Sequence, residues 1–380
     1  MPASRPSPRS LVRVALLVAA VANVFRGGVA TAESFGSGLD LATALPWSGQ
    51  ATSGFHLNDP SIFLPNGGPP RSTLFPVDSP SAFGATRPAP GEARWGLDLA
   101  PVSGVPPRPD RSSVVAGGFT AVFLGLEYAA FWSNETLNGK FQFANEHWFG
   151  QTTYAGGADK ASHVLGGYIA GRVLDGGLQW SGSPPAKSHV LSAAMIAVTG
   201  TLIEVGDAYH GFGFGWQDAL LTAAGGVAGS VLAATKLDDT ITMRFGMVGI
   251  DLPDDASQSV YDPNHYSGEI YTLDLRMAGL LPRLGKPPGL ARFLLASMTY
   301  GSKGYQWVDE RYRQRRIGFE IGLDTYEVGL ALGLKNDTWY GATILGFLRY
   351  FRLPFTGIGF QYELNSGKWM GPNSFYSYDQ

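Results

Sequence analysis

The alternation of apolar and polar positions divides the chain into regions of different character. Near the start, Arg5, Arg9 and Arg13 precede a short apolar run from Val14 to Phe25, and Ala30-Thr31-Ala32 follows. A basic flank, an apolar centre and small residues in that order predict an export signal over 1–32, cut after Ala32 to leave Glu33 first. The apolar run is too short to span a bilayer, which needs ~20 residues. The region 33–112 has no periodicity. It is broken by Pro, Gly and Ser, as in Pro65-Asn66-Gly67-Gly68-Pro69-Pro70, and is expected to be irregular, with one or two short strands at most.

Four apolar stretches then predict helices: Val114 to Trp132, Asp159 to Leu178, Ser188 to Asp207 and Trp216 to Thr235. Each has about the length that spans hydrocarbon. Small residues recur along them at helical spacing: Gly117, Ala121 and Gly125; Gly167 and Gly171; Ala193, Ala197 and Gly200; Gly225 and Gly229. Such seams let helix backbones approach closely in lipid. A helical domain over 113–242, membrane-embedded, is the expectation.

Beyond it, 243–380 reads as an antiparallel β-rich region. Strands are expected at Glu269 to Leu275, Phe293 to Tyr300, Ile317 to Leu323, Val328 to Leu334 and Gly357 to Leu364, separated by turns such as Gly301-Ser302-Lys303-Gly304. Trp339 to Phe351 reads instead as an amphipathic helix. Five or so strands fall short of the eight with which closed outer-membrane barrels begin. The fold class is therefore α+β, a small-residue-rich bundle of about four helices followed by a small antiparallel sheet.

Composition is that of a chain that faces lipid, is loop-rich, or both. Charged residues are 16% of the 380, against about a quarter in ordinary soluble domains. The net charge of -3 gives no basic field for nucleic acid. There is no cysteine, so neither disulfides nor thiolate metal sites form, which suits an oxidising periplasm. Neither a cofactor-binding motif nor a nucleophile elbow is present; Gly211-Phe212-Gly213-Phe214-Gly215 lacks the Lys-Ser/Thr of a phosphate loop. The expected partners are the lipid bilayer and other envelope proteins or glycans.

Candidate chemistry lies within the helices. Asp159, Lys160 and His163 open the second, with Asp159 and His163 four apart on one face. Glu204 and Asp207 extend the small-residue stripe of the third, Asp218 begins that of the fourth, and Glu127 lies in the first. Ionisable groups in membrane helices face the bundle interior or a watery cavity. Three readings stand: a structural lock of opposite charges; a membrane enzyme acting on a lipid-linked or cell-wall substrate, with His163 as acid/base; and a divalent-metal site using Asp159, His163, Glu204, Asp207 and His210. His147 and Trp148, in an aromatic loop, read as an interfacial belt.

At these residues a resemblance appears. Ala158-Asp159-Lys160-Ala161-Ser162-His163, then Glu204-Val205-Gly206-Asp207, then Gly213-Phe214-Gly215-Trp216-Gln217-Asp218 with Gly225 and Gly229, resembles the YfiM-type family of predicted periplasmic lipoproteins, a domain of unknown function. The same skeleton is similar to VanZ-like membrane proteins. The resemblance covers about 119–235, with a looser similarity around Tyr300-Gly301-Ser302-Lys303-Gly304-Tyr305. It implies an envelope protein with a membrane-associated helical core, and no established reaction. Two departures stand out: no Cys follows the signal, and Thr222 sits where VanZ-like proteins tend to have Asn.

Overall fold

The computed structural model describes residues 111–372, apart from 136, 138, 248–265, 267–268, 306–312 and 337. The export signal and nearly all of the segment over 33–112 lie outside the described residues. The fold is α+β: among the described residues there are seven helices and one seven-stranded sheet.

Four long helices come first: α1 (Ser112–Ala130), α2 (Ala158–Trp180), α3 (Pro185–His210) and α4 (Trp216–Ala234). Their ends follow local chemistry. Gly157 takes a left-handed φ of 92° immediately before α2, Pro185 opens α3, and Gly211, at φ 93°, closes it. The small-residue seams of α2, α3 and α4 do what their spacing implies, whereas Gly117 and Gly125 of α1 face open space. A side chain at Gly167 would overlap the Thr222 carbonyl, and one at Gly225 would overlap that of Val164, so α2 and α4 meet backbone to backbone. Ser192 donates to the Gly171 carbonyl at 2.6 Å, and Thr120 pairs with Thr199 at 3.0 Å. Those bonds bring α3 onto α2 and α1 onto α3.

The sheet strands are β1 (Ile241–Met247), β2 (Glu269–Arg276), β3 (Leu294–Lys303), β4 (Gln314–Leu323), β5 (Phe351–Arg352), β6 (Gly357–Glu363) and β7 (Lys368–Met370). Their order is β5-β1-β2-β3-β4-β6-β7. Short helices α5 (Met277–Arg283), α6 (Thr325–Ala331) and α7 (Trp339–Tyr350) interrupt it. Two expectations are corrected. The sheet is mixed rather than purely antiparallel, because β1 and β5 run parallel. The stretch 328–334 is no strand. The Asp324 carboxylate accepts the Glu327 N–H and caps α6, so the apolar run continues a helical turn.

The two faces of the sheet differ in polarity. One face carries Thr242, Arg244, Asp274, Arg276, Ser297, Thr299, Glu320 and Gln361, all buried. Arg244 pairs with Asp274, Arg276 with Asp324 at 2.8 Å, and Arg352 with Glu320 at 2.7 Å. The last pair joins β5 to β4 across three intervening strands, so the sheet wraps around its polar face. The other face is apolar. At one end of it Phe245, Tyr271 and Tyr300 pack with Ala158, Leu165 and Tyr168 of α2, forming the core shared by helices and sheet.

Candidate functional site

The first two turns of α2 place Asp159, Lys160 and His163 together, and the first turn of α4 brings Asp218 opposite them. Lys160 is the centre. Its ammonium lies 2.8 Å from Asp159 Oδ2 and 2.7 Å from Asp218 Oδ1, and it also donates to Glu146 Oε2 from the loop before α2. Only 2% of the Lys160 side chain is exposed. A buried ammonium needs this many acceptors, because desolvation alone would drive off its proton. The second oxygen of Asp159 accepts the Tyr266 hydroxyl at 2.7 Å, and Tyr154 hydrogen-bonds the same carboxylate.

Three carboxylates around one ammonium leave excess negative charge. Glu146 absorbs it. Burial pushes its carboxyl up to about 7, against the opposing pull of Lys160, and it shares a hydrogen bond with Asp218. In the protonated form Glu146 becomes a donor and the cluster approaches neutrality.

His163 stands at the rim, with 26% of its side chain exposed. Its Nδ1 lies 3.0 Å from the Thr222 hydroxyl, which thus fills the position where an amide was in question. Its Nε2 is 3.6 Å from Asp159 Oδ1 and 3.8 Å from Asp218 Oδ1, beyond hydrogen-bond length.

Glu204, Asp207 and His210 have partners of their own. Glu204 accepts the Gly215 N–H at 3.1 Å, and a side chain at Gly215 would meet both Glu204 and Asp218. Asp207 accepts the Trp132 indole N–H at 2.6 Å. His210 stacks on Trp132 and bonds the Gly206 carbonyl at 2.7 Å, away from Lys160. Glu127 lies in the field of Asp207. Sequence reasoning passed over Glu146, Tyr154 and Tyr266. Glu146 adjoins His147 and Trp148 in a loop read as an aromatic belt, and Tyr266 lies 107 residues from the carboxylate it meets.

One atom each from Asp159, His163 and Asp218 fall within 4.8 Å of one another, a spacing compatible with a metal ion. Lys160 already contacts two of those three residues. A fixed ammonium there supplies one positive charge and repels a divalent ion.

These features define an α+β protein whose helical bundle closes on a buried, lysine-centred ion cluster. Residues 145–235 match the family described as predicted periplasmic lipoprotein, whose function is unknown. The matched stretch holds Glu146 and all of α2, α3 and α4, and is less than half of the 380 residues. The likeness fits a protein of the cell envelope. No curated protein and no solved structure matches the chain.

Proposed function

We propose that the chain is a structural component of the bacterial cell envelope, anchored in a membrane by its helical bundle, and that the Lys160 cluster is an internal lock. The observation that carries this reading is the pairing of the cluster. Lys160 is shared among three carboxylates, Tyr266 and Tyr154 take up Asp159, and Glu204 and Asp207 are bound to Gly215 and Trp132. Charges arranged in this way hold elements together. The likeness to predicted periplasmic lipoproteins supports the location. The export signal, cleaved after Ala32, fits the same route.

Two helices support the anchoring. α1 and α3 are long and apolar enough to cross a membrane, and only 6% of the apolar stretch of α1 is buried. Val114, Val190 and Val198 stand exposed on them. A soluble bundle would bury such a stripe.

One observation favours the alternative, a membrane enzyme acting on a lipid-linked or cell-wall substrate. His163 is partly exposed, and its Nε2 faces two carboxylates without bonding either. Expression in the native host separates the two readings. The lock requires that Lys160→Met lower the amount of protein in the envelope, and that the wild type resist extraction by alkaline carbonate. Normal levels of Lys160→Met, together with a His163→Ala variant that accumulates fully yet loses its cellular phenotype, would replace the lock by the enzyme.

A further inference from the structure

The sheet carries a second message, independent of the Lys160 cluster. Its outward face is built of rows that run directly across five strands. Ile241, Leu275, Ala296, Ile321 and Ile358 form one row; Met243, Leu273, Met298, Phe319 and Phe360 form the next. Neither row contains a charge. Phe319 is 61% exposed, Ile321 65% and Ile358 64%. Side chains of all five strands line one apolar trough.

Water is a poor solvent for such a face, whereas the opposite face, wrapped around Arg244, Asp274, Glu320 and Arg352, holds the charges. Alternation of this sense, polar within and apolar without, is that of a sheet in lipid. A one-residue slip of register would exchange the two faces, so the pairing fixes the inversion. Charges appear on the outward parity only past the row of Phe245, Tyr271, Tyr300 and Ile317, at Glu269 and Arg315. Phe245, Tyr271 and Tyr300 of that row, with Met243 of the row before it, pack on the core around α2.

We infer that the outward face of the β1–β2–β3–β4–β6 sheet lies against the hydrocarbon of a lipid bilayer. A second copy of the chain would cover one patch. Exposed apolar side chains stand instead on separate elements: Tyr340, Ile344 and Phe347 of α7, which lies along β1, and Val190, Val198 and Leu202 of α3. A solvent that wets all of them accounts for the pattern; one partner does not. Lipid also demands that backbone edges be covered. The edge strands β5 and β7 have two and three residues, and α7 packs beside β1. This inference goes beyond the anchoring of the bundle and stands or falls separately from it.

The chain has no cysteine, so each introduced one is unique. The full-length protein is reconstituted in vesicles of phosphatidylethanolamine and phosphatidylglycerol as single variants Phe319→Cys, Ile321→Cys and Ile358→Cys. Val198→Cys serves as the helix position and Lys335→Cys as the aqueous one. Each carries a nitroxide, and its relaxation by oxygen, which concentrates in hydrocarbon, is compared with relaxation by a water-soluble nickel chelate. The three sheet positions are expected to favour oxygen several-fold over their ratio at Lys335. Chelate-dominated relaxation at the sheet positions, with Val198 still favouring oxygen, overturns the inference and leaves helix anchoring intact. Low access to both reagents with dipolar broadening between labels also overturns it, in favour of a second copy. Oxygen preference at the sheet with chelate dominance at Val198 supports the inference and counts against the anchored bundle.

Discussion

Tyr266, immediately ahead of β2, donates its hydroxyl to Asp159 at the start of α2 across 2.7 Å, joining residues 107 apart in the chain. The sheet and the bundle therefore meet at the ion cluster as well as through the core of Tyr168, Tyr271 and Phe245. A hydrogen bond to a charged acceptor contributes about 1.5–3 kcal/mol. Tyr266→Phe keeps the ring and removes only the hydroxyl. It is expected to lower stability by about that amount, read as a drop in thermal midpoint in detergent. An unchanged midpoint would mean that Tyr154 and Lys160 alone satisfy Asp159.

The α2–α4 contact makes a sharper forecast. Gly225 has no room for a Cβ against the Val164 carbonyl and the Tyr168 N–H, and Gly167 none against Thr222. Gly225→Ala and Gly167→Ala are expected to force the helices apart, at a cost of about 1–3 kcal/mol or more. Gly118 and Gly166 face open space. Alanine there is expected to be neutral or to stabilise by about 0.5–1 kcal/mol through helix propensity. Melting curves of the four variants check both halves.

Glu146 sets a pH dependence. Its folded pKa, about 7, lies above the ordinary 4.5, chiefly through burial, with Asp218 and Asp159 raising it and Lys160 opposing. The folded state then binds the proton more tightly than the unfolded chain does. The stability from this group is complete below about pH 4.5 and is lost as pH rises through about 7. Glu146→Gln cannot ionise, so its melting temperature is expected to change less than that of wild type between about pH 5 and pH 8. Parallel profiles for the two proteins would remove Glu146 from the account.

Much of the helical half is legible in the sequence. Apolar windows with small residues every fourth position mark α1 to α4, and the same spacing places Asp159 and His163 on one face. The sheet is less so. The run 328–334 could be strand or helix by periodicity alone, and the deciding cue, Asp324 three residues before Glu327, is a cap rather than a pattern. β1 is obscured because Arg244 and Gly246 break its apolar character, yet they point to a polar interior that alternation alone does not announce. In the site, Glu204 and Asp207 share a stripe with the small residues of α3, but the stripe does not show that Gly215 and Trp132 take them. Glu146 and Tyr266 come from loops, where no period exists to place them.

The central claim is that Lys160 locks the bundle through its carboxylates, and a double-mutant cycle on Lys160 and Asp218 tests it most directly. Lys160→Met leaves three carboxylates in a poorly solvated place, and breaking a buried pair costs about 3–5 kcal/mol. Asp218→Asn is milder, because Asp159 and Glu146 still hold the ammonium. The unfolding free energies of wild type, both single variants and the double variant, measured in the same detergent, give the coupling. The account predicts that Asp218→Asn restores part of what Lys160→Met removes, with a coupling of about 0.5–3 kcal/mol. Additive losses, or a Lys160→Met protein as stable as wild type, would contradict it.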